Sequence, residues 1–97
     1  MKFNDFIIDW DKEKNIWLKD NRNISFEIIE IKLLEKDVID IIPNKNVKYS
    51  HQFMLVVNIY DYIHVVPFVI DKKNKLIFLK TIIPSRKYTK KYLKMYE

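Results

Sequence analysis

The chain contains no glycine. Glycine enters left-handed backbone conformations at no steric cost, so its absence hands the tight turns to Asn, Asp and Pro. It also excludes classes of site. The P-loop and the dinucleotide-binding fingerprint need glycine where backbone approaches phosphate, and the nucleophile elbow of serine hydrolases needs it at a strand-to-helix turn.

A length of 97 residues sets a single domain, 1–97, whose folding buries roughly 60–65% of the unfolded surface. Hydrophobic residues are 48% and charged residues 32% of the chain, the balance of a globular protein rather than a disordered one. There is no cysteine, so the fold uses no disulfide and no thiolate metal site, which fits a reducing, cytoplasmic setting. The opening "MKFNDFIIDWDKEKN" reads as neither a secretory signal nor a membrane span.

Hydrophobic patterning predicts a strand at "FIIDW" (Phe6 to Trp10) and a helix over "DKEKNIWLKDN". A second helix follows over "ISFEIIEIKLLEKD". Ser25 is placed to cap it, Glu27 suits the positive end of its dipole, and Ile24 with Ile29 has hydrophobic-staple spacing. "VIDIIP" reads as a brief strand and "NKNVKYSHQ" as a polar loop. "FMLVVNIY", "YIHVVPFVI" and "KLIFLKTII" read as a three-stranded antiparallel meander, with Asn74 taking a positive φ in the "DKKN" turn. Pro67 lacks a backbone donor and belongs at an edge or a bulge. Ser85 caps a last helix, "RKYTKKYLKMY". The order β-α-α-β-β-β-β-α is a small α+β domain: N-terminal helices packed on an antiparallel meander, closed by a basic helix.

The net charge of +5 is unevenly placed, with +7 in residues 71–97 and −2 in residues 1–70. On a helical wheel Arg86, Lys87, Lys90, Lys91 and Lys94 gather on one side of the last helix, opposite Tyr88, Tyr92, Leu93, Met95 and Tyr96. An ordinary amphipathic helix explains most of this. Two features go further. The face is of one sign, where a solvent face normally mixes Lys with Glu. Arg86 and Lys87 also sit in the first turn, where the dipole disfavours each cation by roughly 0.3–1 kcal/mol and free amides await an acceptor. Cations and free amides together suit a phosphate. Lys80, just upstream, is placed to face the same bound group as Arg86.

Metal chemistry has little support: the two histidines are His51 and His64, and Asp37 and Asp40 read as surface acids. His51 falls in the polar loop as an exposed bystander. His64 alternates with Val66, Phe68 and Ile70, the pattern of a satisfied core or edge histidine; its functional role would be a general acid or base beside Lys80. RNA cleavage suits a cationic site without metal or cofactor, because RNA carries its own nucleophile in the 2′-hydroxyl. Lys and Arg then stabilise the pentavalent phosphate, and tyrosines stack on unpaired bases.

The stretch "DWDKEKNIWLKDNRNISFE" combines a short strand, a "WD" pair, a Lys, an Asn and a "VSFEEA"-like helix start. "IIPSRKYTKKY" is similar to an "ISARKAT" ending with a basic helix. With the meander between them, the chain resembles the BrnT family of type II toxins. That resemblance implies a compact RelE-like fold and an endoribonuclease that arrests translation. It also implies a ribbon-helix-helix antitoxin partner, with DNA reached only through that partner. By motif position Arg86 matches the family's Arg, and Lys80 corresponds loosely to a basic residue upstream. Arg22 and Asn23 stand where the family often has His, and Val66, Pro67 and Phe68 where it often has a polar residue. The expected site is therefore Lys80 and Arg86 on the scissile phosphate and His64 as proton carrier. Lys87, Lys90 and Lys91 would position the RNA backbone, and Tyr88 would stack. The rivals are a non-enzymatic RNA-binding or antitoxin-binding module and a basic helix that docks on an acidic protein.

Overall fold

The computed structural model describes residues 5–46, 48 and 52–93; His51, Lys94, Met95 and Tyr96 lie outside them. The described chain is an α+β domain with three helices and a mixed six-stranded sheet. Strand β1 (Ile7–Trp10) leads into helix α1 (Lys12–Arg22) and helix α2 (Phe26–Leu34). Strands β2 (Asp40–Pro43), β3 (Phe53–Ile59), β4 (Tyr62–Asp71), β5 (Leu76–Leu79) and β6 (Ile83–Pro84) follow, and helix α3 (Arg86–Leu93) ends the described fold.

Local chemistry sets the helix starts. Asp11 caps α1 by accepting from the amides of Glu13 (2.8 Å) and Lys14 (3.3 Å). Ser25 caps α2 through the Ile28 amide at 3.4 Å. Asn15, buried between the two helices, ties them together: its Oδ1 accepts from the Phe26 amide at 2.8 Å and its Nδ2 donates to Glu27 at 2.6 Å. That bond is the main cause holding the Glu27 carboxyl below its ordinary value.

Without glycine, left-handed backbone falls on Asn23, Lys36, Tyr60, Asp61 and Lys75, with φ between 52° and 60°. Asn23 ends α1 as glycine commonly would. Asp61 also fits the expectation that Asn, Asp and Pro carry the turns, whereas Lys36, Tyr60 and Lys75 correct it. Lys75, not Asn74, takes the positive φ before β5; Asn74 instead bonds Asp71 through its amide nitrogen (3.1 Å) and its side chain (2.7 Å). Tyr60 and Asp61 form the tight β3–β4 turn, both with φ > 0. Such conformations cost L-residues roughly 1–2 kcal/mol each.

The sheet order is β1-β5-β4-β3-β2, with β6 also paired to β4. The meander β3-β4-β5 is antiparallel, but β1 pairs parallel to β5, so the whole sheet is mixed. Pro67 lies in β4, the middle strand, rather than at an edge. Its place is next to a bulge: Phe68 pairs with Leu79 and Val65 with Ile83, so the partner chain carries one extra residue. The Pro67 carbonyl accepts from the Lys80 amide at 2.8 Å, so the side of the ring that lacks a donor turns toward this irregular edge.

Strand alternation divides the interior. Leu55, Val57, Val66, Phe68, Ile77 and Leu79 pack beneath Leu18, Phe26, Ile29 and Leu33 of α1 and α2. Val56, Ile63 and Val65 form the other face, covered by Tyr88, Tyr92 and Leu93 of α3. Opposite faces of the sheet thus carry different helices. Among the described residues no helix is long and apolar enough to cross a membrane.

Candidate nucleic-acid interface

Helix α3 is fixed to the sheet by hydroxyls. Ser85 Oγ accepts from the Tyr88 amide at 3.2 Å, capping the first turn. Thr89 is fully buried; its Oγ1 accepts from the Ile63 amide at 2.9 Å and donates to the Ser85 carbonyl at 2.7 Å. At the far side Tyr92 donates from its hydroxyl to Asp40 at 3.1 Å, and burial followed by this carboxylate raises the phenol's pKa. The orientation leaves Arg86, Lys87, Lys90 and Lys91 exposed. The two ion pairs among the described residues are Lys19–Glu27 and Lys32–Asp37. The α3 cations and Lys80 therefore meet no carboxylate there. Lys87 lies 5.4 Å from the Tyr88 ring and Lys91 5.3 Å from the Tyr92 ring. These contacts hold ammonium groups over aromatic faces without neutralising them.

Beside α3, on the same face, the sheet carries a hollow of about 510 Å³ lined by Asn44, Asn46, Gln52, Met54, Pro67, Lys80, Thr81 and Ile83. Met54 joins the two regions, since it lines the hollow and packs against the α3 cluster. Lys80 lies over the Phe78 ring at 5.2 Å.

Two of the expected roles need correction. His64 does not stand beside Lys80. It pairs across the sheet with Val57, on the face under α1 and α2, whereas Lys80 lines the hollow with Met54 and Pro67 on the other. His64 bonds the Tyr62 carbonyl at 2.9 Å, which assigns the proton to Nδ1 in the neutral ring. Burial first, and then Arg22, hold its pKa below the ordinary value despite that bond. Arg22 itself donates to the Ile82 carbonyl at 2.9 Å. Tyr88 does not present a bare ring for stacking, because it packs against the sheet cluster with Lys87 and Lys91 over it. Arg86 is exposed at the start of α3 and is not among the residues lining the hollow.

Sequence patterning passed over Asn44, Asn46 and Gln52, although "NKN" before a polar loop signals consecutive side-chain-capped turns. Among the described residues no group of three or more His, Cys, Asp or Glu side chains is placed to hold a metal. Compared with family models, curated proteins and solved structures, the chain matches none.

Proposed function

We propose that this protein binds single-stranded RNA across the α3 face of its sheet and acts there as the endoribonuclease toxin of a type II toxin–antitoxin pair. The observation that supports this most is the run of exposed cations Arg86, Lys87, Lys90 and Lys91, which meet no carboxylate among the described residues, beside a hollow holding Lys80. Cations without carboxylate partners are the electrostatic footprint of a phosphate backbone. In this account Lys80 stabilises the charge of the reacting phosphate, Arg86 and the first-turn amides of α3 hold a neighbouring one, and Lys87, Lys90 and Lys91 fix the strand's path. The 2′-hydroxyl supplies the nucleophile. The RelE-like and BrnT-like fold, a ribbon-helix-helix antitoxin and a cytoplasmic setting belong to the same proposal.

A module that binds RNA or an antitoxin without turnover is the second candidate. It is favoured by the position of His64, which lies on the opposite face of the sheet from Lys80 and is not among the described residues lining the hollow. Purified protein incubated with RNA in EDTA separates the two. Fragments lost in both Lys80→Met and Arg86→Ala support the nuclease. Retention of RNA without fragments supports the module. Arg86→Ala should also abolish growth arrest while leaving the melting temperature close to wild type, because the side chain is exposed and pairs with no carboxylate among the described residues; a fully toxic variant removes Arg86 from the site.

A further inference from the structure

The hollow has a chemical bias that the cations alone do not explain. Asn44 Oδ1 accepts from the Asn46 amide at 3.1 Å, and Asn46 Oδ1 accepts from the Lys48 amide at 3.0 Å. A backbone N–H can bond only an oxygen, so these contacts settle the orientation of both side-chain amides. Their oxygens are used within the loop, and each Nδ2 is left as a donor. Lys80 adds a third donor, and among the described residues no carboxylate lines the space. Gln52, itself buried, is the one lining side-chain amide whose oxygen the loop does not engage. Met54, Pro67 and Ile83 supply apolar surface for a flat ring. The volume of about 510 Å³ falls in the roughly 300–1,000 Å³ range of small-ligand sites.

We infer that this hollow is a base-selective nucleotide pocket for uracil, with the attached phosphate on Lys80. Uracil presents two carbonyl oxygens, O2 and O4, to the two asparagine donors and the N3–H between them to the Gln52 oxygen. Cytosine, adenine and guanine each direct an exocyclic amino group where uracil places a carbonyl oxygen, and so set donor against an Nδ2 donor. The inference deepens the proposed RNA-binding role and rests on it for biological context, while the pocket chemistry stands on its own.

The four 3′-ribonucleoside monophosphates, titrated into the full-length protein and followed by amide NMR shifts, test it. Uridylate should bind roughly tenfold tighter than cytidylate, adenylate and guanylate, the order of one well-made base contact. Asn46→Asp keeps the oxygen that the Lys48 amide needs and replaces the free donor by an acceptor. It should bring the preference for uridylate over the other three down to a ratio of about one or below. Lys80→Met should weaken all four nucleotides together and leave the ratio unchanged. Equal affinities in the wild type, no binding at millimolar concentration, or a ratio unmoved by Asn46→Asp overturns the proposal. Uridylate-selective binding without RNA cleavage removes the nuclease and keeps the pocket; cleavage without base preference does the reverse.

Discussion

Thr89→Val probes how the basic helix is held. Threonine and valine share a β-branched shape and similar helix propensity, so packing and local preference change little. The oxygen is what disappears. Ile63 is fully buried, and its amide donates to Thr89 Oγ1 at 2.9 Å on the β4 edge that β6 and α3 share. With valine that N–H has no acceptor and no water. The Ser85 carbonyl keeps the Thr89 amide at 3.0 Å, so only one group is orphaned. A buried unsatisfied donor costs about 1–3 kcal/mol. For a domain this small each kcal/mol lowers the melting point by about 4–8 °C. Urea denaturation followed by circular dichroism measures the loss, and hydrogen exchange at the Ile63 amide locates it. Thr89→Ser, which keeps the hydroxyl, should leave that amide protected. If Thr89→Val matches wild-type stability within about 0.5 kcal/mol, with Ile63 exchange unchanged, the hydroxyl is not what docks α3.

The glycine-free β3–β4 turn predicts a gain. Tyr60→Asn with Asp61→Gly should stabilise the protein by about 1–2 kcal/mol, read as a higher denaturation midpoint at constant m-value; a lower midpoint would mean that Tyr60 contributes more than strain. His64 predicts a pH dependence. Its folded pKa lies below the ordinary 6.5, chiefly through burial. Between those values the unfolded chain binds more protons, so stability is complete above about 6.5 and is lost as the pH falls through the folded pKa. Thermal melts between about pH 7.5 and 5.5 should show this slope, and His64→Gln should flatten it; an equal slope in the variant assigns the effect elsewhere.

What the sequence made legible was local. Ser25 and Ser85 announce their helices because a cap is decided within four residues. The strands from Phe53 to Leu79 announce themselves through β-branched runs bounded by turns. The pairing of β1 with β5 joins segments some seventy residues apart, Ile7 with Leu76, and no short-range pattern encodes it. Pro67 pointed to an edge or a bulge, and the bulge on the neighbouring chain is what excuses its missing donor in a central strand. That bulge also shifts residue parity between Leu79 and Ile83. The side of the sheet that Lys80 occupies relative to His64 was therefore unreadable from spacing. The amphipathic split of α3 was readable, since helical periodicity alone separates Lys90 and Lys91 from Tyr88 and Tyr92. The hollow was not, because Asn44, Asn46 and Gln52 meet Lys80 only through tertiary structure.

The central claim is that Lys80 and the α3 cations act as one RNA-binding face. The salt dependence of affinity for a single-stranded oligoribonucleotide tests it most directly. Each phosphate neutralised on a single strand contributes about 0.7 to the slope of log affinity against log salt. Five cations acting together give a slope near −3.5. Neutralising Lys80, Arg86, Lys87, Lys90 or Lys91 singly should each remove about 0.7, while neutralising Lys19 or Lys32 on α1 and α2 should remove none. A slope near zero, or an equal loss from the α1 and α2 lysines, would contradict the account.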